Sequence, residues 1–357
     1  MPIHVYDFFC GCGGTSAGFR AAGLEIRVGI DLDPDAQRTF EENFPEAIFL
    51  RRDIHSLPVE VLNHFIVRAA DTVTLFCCCA PCQPFSRQNK NPENRAAEAG
   101  LLYEFANFVE FCLPDLIFLE NVPGIQNVDA TIGPFGNFVS FLKYLGYSVT
   151  FDVIESKNYG VPQQRKRLIL VASRLGPISL PQHTHGPGTA HPSYSTVWEW
   201  ISHFPPIAAG ELHPAVPNHR AAQLSELNLT RIRATPVGGG RLDWPEELML
   251  DCHLGEYAGH TDVYGRMHRN RPASGLTTRC ISLSNGRFGH PEQDRAISVR
   301  EAASIQTFKD DFVFFGSLNS MARQIGNAVP VTLAQTFGEM FLIHFAEHRE
   351  NTNNTDV

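Results

Sequence analysis

Short apolar runs separated by amphipathic, helix-length segments fill the first half of the chain. Five short apolar runs predict strands, at residues 5–9, 26–33, 72–79, 115–122 and 166–173, and the run at 72–79 shows no polar alternation, as expected for a buried strand. Helices are predicted from about Thr15 and from Pro34 through Phe44. This alternation is typical of a doubly wound, mostly parallel α/β sheet.

The pattern changes after Ser173. Residues 174–265 are rich in proline, glycine and histidine and predict loops, whereas residues 329–348 return to a helical pattern with a strong apolar face. We therefore expect a first domain at residues 1–174, a second, smaller domain at 175–318, and a segment at 319–357 that returns to the first domain.

Composition indicates an ordinary globular protein of two domains, with 43% hydrophobic and 19% charged residues among 357. No signal peptide, and no apolar run of the ~20 residues needed to span a bilayer, is evident, which predicts no membrane partner. Nine cysteines without a regular spacing favour reduced thiols and a cytoplasmic location.

A net charge of −9 disfavours a nucleic-acid partner, but charge is uneven along the chain. Residues 260–290 carry five arginines and one acidic residue. Such a stretch is consistent with a basic cleft that binds phosphates, and equally with a solvated surface.

A glycine-rich turn follows the first predicted strand, in "DFFCGCGGTSAGF". Gly11, Gly13 and Gly14 allow close approach of a ligand to the backbone, and Asp31 ends the next strand, where a nucleotide-type cofactor presents its ribose hydroxyls. Ser16 occupies the last position of G-x-G-x-x-G, which disfavours a pyrophosphate cofactor. A plain structural turn explains the same pattern.

The stretch "CCCAPCQPFS" contains four cysteines. Cys77, Cys78 and Cys79 lie in the apolar run and are predicted to be small core residues. Cys82 lies beyond the strand between Pro81 and Pro84, in a position suited to a nucleophilic thiolate. No metal site is predicted, because Cys79-x-x-Cys82 has no second pair and the histidines at 183, 185 and 191 lie in a Pro/Gly loop.

Two further strand ends carry charged residues. Glu120 follows the apolar run "DLIFL", where its carboxyl group is placed to exchange a proton with a ligand. Arg165 and Arg167 precede the strand "KRLILVAS" and face the same side if that segment is extended. A structural salt bridge is the alternative for either arginine.

Six motifs together resemble the DNA (cytosine-5)-methyltransferases of the bacterial restriction–modification type. They are "DFFCGCGGTSAGF", "APCQPFS", "ENVPG", "PQQRKRL", "RPASGLTTR" and "RQIGNAVP", and they cover residues 5 to about 340 in the order of that family. The resemblance implies a Rossmann-like methyltransferase sheet with a DNA-recognition domain. It also implies transfer of a methyl group from S-adenosylmethionine to C5 of cytosine.

The resemblance assigns roles to the charged strand ends. Cys82 would attack C6 of the base, Glu120 would hydrogen-bond N3 and the exocyclic amine, Arg167 would contact the base carbonyl, and Arg165 would support the same site. The implied cofactor residues are Phe9, Gly11, Gly13, Gly14, Asp31, Asp53, Ile54, Pro81 and Asn327. Asp53 has an alternative role as a helix N-cap.

The implied substrate is double-stranded DNA, from which the target cytosine must be flipped out. Residues 84–100, with Ser86, Arg87 and Gln88, resemble the loop that closes over DNA, although "ENRAAEAGLL" departs from the compact form of that motif. Recognition is expected in 175–270. Candidate DNA contacts there are Arg231, Arg233, Arg241, Arg266 and Arg269, with Arg220 as a further candidate.

Three rival interpretations remain. An RNA (tRNA) cytosine-5 methyltransferase shares the motif set, although the Arg-bearing insert before "RPASGLTTR" favours DNA. A catalytically inactive regulatory homologue would keep the fold, but Cys82, Glu120 and Arg167 are intact. A dinucleotide-dependent oxidoreductase is disfavoured by the incomplete glycine motif. We expect a monomer that shares its DNA site with a cognate restriction endonuclease.

Overall fold

Seven strands form the central sheet of the computed structural model, which describes residues 2–69, 72–80, 92–124, 133–251 and 261–354. The strands are β1 (Ile3–Phe8), β2 (Glu25–Asp31), β3 (Ile48–Arg51), β4 (Val73–Cys78), β5 (Leu116–Asn121), β6 (Ser148–Glu155) and, after the short β7 (Gln163–Gln164), β8 (Lys166–Ser173). Their order is β3-β2-β1-β4-β5-β8-β6. The first five are parallel, and β8 runs antiparallel to both neighbours. The mixed α/β fold with a mostly parallel sheet is confirmed.

Five helices connect these strands: α1 (Gly14–Ala21), α2 (Pro34–Asn43), α3 (Val59–Asn63), α4 (Pro92–Cys112) and α5 (Pro134–Tyr144). α2 begins where the sequence predicts, because Asp33 accepts hydrogen bonds from the backbone N–H groups of Asp35 and Ala36, and Pro34 occupies the first turn. Every residue of β1, β4 and β5 is buried, which explains why these strands show no polar alternation.

The chain divides into two compact units. The first unit contains Met1–Glu155, Lys166–His183 and Val329–Val357, and the second contains Ser156–Arg165 and Thr184–Ala328. These geometric limits differ from the domain limits at 174 and 318, whose functional meaning stays a prediction. No helix among the described residues has the length and apolar character needed to cross a bilayer.

The second unit has little regular structure. It contains α6 (Val197–Ile201), α7 (Glu226–Arg233), α8 (Val299–Ile305), α9 (Leu318–Asn327) and a parallel pair of β7 with β9 (Ala273–Ser274). Its interior combines buried apolar side chains with buried arginines. Arg295, for example, bonds Glu301 through both terminal nitrogens at 2.7 Å, and both side chains are fully buried.

The last helix, α10 (Val331–Asn354), belongs to the first unit and packs on α1. The contact is close because α1 has a glycine there: a Cβ at Gly18 would lie 2.4 Å from both Ala334 Cβ and Val331 O. Phe337 extends the contact to β5 through the ring of Phe118, at 5.4 Å between centroids. The first unit is therefore completed by residues distant in sequence.

Candidate functional site

The carboxyl ends of β1, β2, β4 and β5 meet at one edge of the sheet. β1 lies between β2 and β4. The next two strands, β2 and β3, extend the sheet on one side of β1, and β4 and β5 extend it on the other side. Open α/β sheets hold ligands outside such a point, because the loops on either side diverge and leave a crevice. Those predicted site residues of the first unit that the structure describes lie at or next to this edge.

The glycine-rich turn after β1 is held in a left-handed backbone conformation. Phe9, Gly11 and Gly13 have φ angles of 58°, 52° and 89°. A Cβ at Gly13 would lie 2.5 Å from the ring of Phe44, so only glycine fits there, whereas a Cβ at Gly11 would meet nothing within 4 Å. The turn is thus packed on one side and leaves open space beside Gly11.

Asp31, at the end of β2, fixes this turn from the neighbouring strand. Its Oδ2 accepts a hydrogen bond from the Gly11 N–H at 2.9 Å. Its Oδ1 accepts from the N–H groups of Leu32 and Asp33 at 2.7 and 3.0 Å. The carboxylate is partly buried, and Leu32 beside it is 59% exposed, an apolar side chain left uncovered at the sheet edge.

Asp53 caps a short 3₁₀ helix, Ile54–Ser56, by accepting a hydrogen bond from the His55 N–H at 3.0 Å. The N-cap alternative for Asp53 is therefore present in the structure, beside a buried Ile54. The next residue, His55, lies 3.2 Å from the Glu104 carboxylate on α4. This pair connects the 3₁₀ helix to the helix that follows residues 81–91.

Asp7 is a buried carboxyl group that the sequence reading did not single out. It lies within β1, is fully buried, and accepts a hydrogen bond at 2.7 Å from the Ser16 hydroxyl in α1. Burial, with a smaller contribution from the charge of Asp31, raises the pKa of Asp7 to about 7. A single acidic residue in an otherwise apolar strand is the signal that identifies it.

The cysteines of β4 are partly as predicted. Cys77 and Cys78 are fully buried, whereas Cys79 follows the strand, is only partly buried, and lies with its Sγ 3.3 Å from the Thr15 hydroxyl. Burial and then the charge of Asp7 raise the pKa of the Cys77 and Cys79 thiols well above the usual value. Neither is therefore a thiolate near neutral pH.

The chain direction brings Glu120 and Arg167 together. β8 runs antiparallel to β5 and pairs Ile169 with Glu120, so β8 begins at the edge where β5 ends. Arg167 Nε lies 2.7 Å from Glu120 Oε1, with 18% and 9% of the two side chains exposed. The contact lacks the alignment of a hydrogen bond, and Arg167 also donates to the Lys166 carbonyl at 2.7 Å. The carboxylate therefore keeps acceptor capacity for a ligand.

Arg165 does not share the environment of Arg167. It precedes β8, belongs to the second unit and is 4% exposed. Its two terminal nitrogens donate to the carbonyl oxygens of Leu276 and Gly326, both at 3.0 Å. Arg165 lies between β7 and β8, and the two arginines have different partners, since Arg167 contacts Glu120. The contacts of Arg165 give it a structural role.

Five predicted site residues lie outside the described part of the chain: Pro81, Cys82, Ser86, Arg87 and Gln88. Asn327 is exposed at the end of α9 in the second unit. Among the described residues, no group of three or more His, Cys, Asp or Glu side chains is arranged to hold a metal ion.

Three of the predicted DNA-contacting arginines are interior residues. Arg266 is 5% exposed and donates to four backbone carbonyls and to Asp294, while Arg231 donates to Leu248 O and lies over the Trp244 ring. Arg241 is 2% exposed. Buried, engaged guanidinium groups are not available to a duplex, so the geometry corrects these assignments. Arg233 and Arg269 are exposed, although Arg269 pairs with Glu292.

Comparisons with known proteins identify the family of the chain. The model of the C-5 cytosine-specific DNA methylase family matches residues 3–342. The Type II methylase M.HgiDII of Herpetosiphon aurantiacus is 38% identical over 340 residues, covering 94% of either chain. The Type II methyltransferase M1.HphI of Haemophilus parahaemolyticus is 32% identical, covering 96% of this chain and 87% of that protein.

Solved structures show the same fold. A putative DNA modification methyltransferase encoded in an Escherichia coli prophage superposes with a TM-score of 0.72 at 19% identity, over 95% of this chain and 98% of that chain. A DNMT2 variant from Spodoptera frugiperda gives a TM-score of 0.63 at 17% identity, over 95% and 99% of the two chains.

Proposed function

Because the chain belongs to the family of C-5 cytosine-specific DNA methylases, we propose that it methylates C5 of a cytosine flipped out of a specific double-stranded DNA sequence, with S-adenosylmethionine as methyl donor. The observation that carries the proposal is the Glu120–Arg167 pair, at 2.7 Å, on the sheet edge that also holds the glycine turn. A carboxyl group can donate to the ring nitrogen of cytosine and accept from its amine, and a guanidinium can donate to its carbonyl.

The chemistry requires activation of a poor nucleophile, since C5 of cytosine does not accept a methyl group unaided. In the proposal, the Cys82 thiolate forms a bond to C6, which makes C5 enamine-like and nucleophilic. After C5 is alkylated, a base removes the C5 proton, the electron pair restores the C5–C6 double bond, and the C6–S bond breaks to release Cys82. Support for Cys82 comes from its place in "PCQ" within the family match.

Glu120 and Arg167 have complementary roles in this step. The carboxyl O–H of Glu120 donates to N3, where negative charge develops as the thiolate adds, and its other oxygen accepts from the exocyclic amine. Arg167 holds the carboxylate in place and reaches the base carbonyl. Arg165 is a positioning residue rather than a catalytic one, because both of its terminal nitrogens are bonded within the second unit.

The glycine turn fits S-adenosylmethionine better than a pyrophosphate cofactor. Open space beside Gly11 admits a ligand against the backbone, and Asp31 has a carboxylate positioned for ribose hydroxyls. Exposed Leu32 and buried Ile54 offer apolar surface for an adenine ring. Phe9, Gly13, Gly14, Asp53, Pro81 and Asn327 complete the proposed set. The bound cofactor supplies an electrophilic methyl group.

Methyl transfer is tested with tritiated S-adenosylmethionine and plasmid DNA. We expect wild-type protein to label the plasmid, Cys82→Ala to abolish labelling, and Glu120→Gln to lower kcat by about 10²–10³-fold. Cys112→Ala is the matched control, since Cys112 is a buried core thiol in α4, and it should label normally. A duplex with 5-fluorocytosine at the target should trap a covalent adduct with wild type, because fluorine prevents the final elimination.

The same assay separates the rivals. Labelling of transfer RNA in place of plasmid would support the RNA methyltransferase, and no labelling of either with a folded protein would support the inactive homologue. We also propose that the protein acts as a cytoplasmic monomer alongside a cognate restriction endonuclease. Support comes from relatives named Type II methyltransferases. Bisulfite sequencing of methylated plasmid would identify the DNA site.

A further inference from the structure

A cavity of about 400 Å³ lies in the second unit, and none of its lining residues is among those assigned above. Its lining comes from two segments, the loop after β9 and one face of α9: Thr278, Arg279, Ile281, Ser282, Asn319 and Arg323. Two guanidinium groups, two hydroxyls and an amide line it without a carboxylate. That donor set is suited to an anion.

The absence of acidic residues extends well beyond the lining. The chain carries 38 aspartates and glutamates against 29 lysines and arginines, yet neither residues 271–291 nor residues 312–338 contain one acidic residue. Both stretches include a wall of the cavity. Both stretches therefore carry a net positive charge in a protein of net charge −9, which favours a negatively charged occupant.

The two walls are fixed to each other. A Cβ at Gly326 would lie 2.1 Å from Thr277 O, so α9 and the loop touch backbone to backbone. Arg165 bonds Leu276 O and Gly326 O, one carbonyl on each side, and the Cys280 thiol lies 3.7 Å from Ala322 O. The cavity is thus preformed rather than created by closure of a loop.

Arg279 differs from the buried arginines of the same unit. It is exposed, and no described residue accepts a hydrogen bond from its guanidinium group, whereas Arg266 and Arg295 are fully engaged. Its backbone is held by turns, with Arg279 N–H donating to Thr277 Oγ1 at 3.3 Å and Ser282 N–H to Arg279 O at 3.0 Å. Its guanidinium group is therefore available to a ligand, and its planar set of donors suits phosphate oxygens.

The helix adds to the positive potential. α9 begins at Leu318 and Ser317 caps it by accepting from the Ser320 N–H at 3.2 Å, which places Asn319 in the first turn. Arg323 follows Asn319 by four residues and therefore lies on the same face. The side chains of one helix face and one loop converge on the cavity.

We propose that this cavity binds a phosphodiester group of the DNA backbone and so fixes the register of the second unit on the duplex. Arg279 and Arg323 are the charged contacts, and Thr278, Ser282 and Asn319 supply neutral hydrogen bonds. The lining has no aromatic ring for a base and no carboxylate for a ribose, so the contact is to phosphate and independent of sequence. The inference rests on the proposed DNA substrate.

The first test measures affinity for a short duplex, by fluorescence anisotropy across a series of salt concentrations. Arg279→Ala and Arg323→Ala should each weaken binding about tenfold on cognate and non-cognate duplexes alike. Each should also lower the slope of log K against log salt by about 0.9, as one phosphate contact is lost. Lys309→Ala is the control, since it removes an exposed cation of the same unit outside the cavity and should leave the slope unchanged.

The second test replaces single phosphates by neutral methylphosphonates along the duplex. Replacement of one particular phosphate should weaken binding of the wild-type protein but not of Arg279→Ala. That phosphate is the one bound in the cavity. The inference is overturned if no position becomes silent in the variants, or if their slopes match that of Lys309→Ala. If only this inference is wrong, the wild-type protein still labels plasmid DNA. If the wild-type protein does not label plasmid DNA, the proposed function is wrong, and this inference is wrong with it.

Discussion

The two units differ in which charged side chains they bury and in the partners of those side chains. All six buried arginines of the described chain, Arg165, Arg231, Arg241, Arg266, Arg295 and Arg300, belong to the second unit. The first unit has an aliphatic and aromatic interior with two buried acidic residues, Asp7 and Glu120. Glu120 faces Arg167, but no cation among the described residues bonds Asp7.

The difference shows what a buried charge means in each place. In the second unit, regular hydrogen bonding is sparse, so guanidinium groups with up to five donors bond the loop carbonyls that helices and strands would otherwise satisfy. In the first unit, the sheet satisfies its own backbone, and a buried carboxyl has no such structural duty. Buried arginines therefore support loops in the second unit, whereas in the first unit Glu120 keeps acceptor capacity at the sheet edge.

The largest effect is expected at the Arg295–Glu301 pair. Glu301→Gln leaves a buried guanidinium without its counter-charge and should lower the free energy of unfolding by about 3–5 kcal/mol. All three tryptophans, Trp198, Trp200 and Trp244, lie in the second unit, so tryptophan fluorescence in urea reports this unit selectively.

The matched control is Glu292→Gln, which breaks the pair with Arg269, where 47% and 42% of the side chains are exposed. Its cost should be below about 1 kcal/mol because solvent screens the pair. Equal effects of the two substitutions would show that burial is not what makes these arginines structural.

Asp7 predicts a pH dependence for the first unit. The pKa of Asp7 is about 7 in the folded protein and 3.8 in the unfolded chain, so the folded state binds a proton more tightly. The stability that this protonation contributes is lost as pH rises from about 4 to 7. Asp7→Asn does not lose stability in this way, because its side chain does not ionise. Its stability relative to wild type should increase by about 1.4 kcal/mol per pH unit across that window and then level off.

Hydrogen exchange of the β1 and β4 amides measures this difference in the first unit, which has no tryptophan among its residues. Glu104→Gln serves as control for the loss of a carboxylate, because that side chain is partly exposed on α4. A difference for Asp7→Asn that does not change with pH would show that burial does not favour the protonated form of Asp7.

A smaller effect is expected where α1 meets α10. Gly18→Ala places a Cβ 2.4 Å from Ala334 Cβ and should destabilise the first unit by about 1–3 kcal/mol through overpacking. Glu339→Ala, at an exposed position of α10, should change stability by less than about 0.5 kcal/mol. Faster exchange of the β5 amides in Gly18→Ala alone would confirm the contact, and equal rates in both variants would contradict it.

The sequence predicts the central strands better than the edges of the sheet. β1, β4 and β5 are buried on both faces, so their apolar runs are unambiguous. β3 and β6 lie at the two edges, keep exposed residues such as Ile48 and Phe151, and were missed because mixed polar and apolar runs resemble loops. Pattern alone also does not give the direction of β8, on which the meeting of Glu120 and Arg167 depends.

Side-chain roles are predictable only where the chain geometry is regular. Glu120 follows a straight strand, so its place at the sheet edge could be inferred, whereas Arg165 and Arg167 are two residues apart and belong to different units. For the same reason, the number of arginines in the second unit did not predict which of them are available to contact DNA. Loop sequence does not show that Arg266 turns inward while Arg279 stays exposed.

The discontinuous first unit has a consequence for biosynthesis. The groove on α1 at Gly18 is filled by α10, which is translated only after all 145 residues of the stretch Thr184–Ala328 have emerged. A nascent chain must therefore carry an incomplete sheet domain while the intervening unit condenses. Chains released early by the ribosome would expose the apolar faces of α1 and β5, which makes them natural targets for chaperones and proteases.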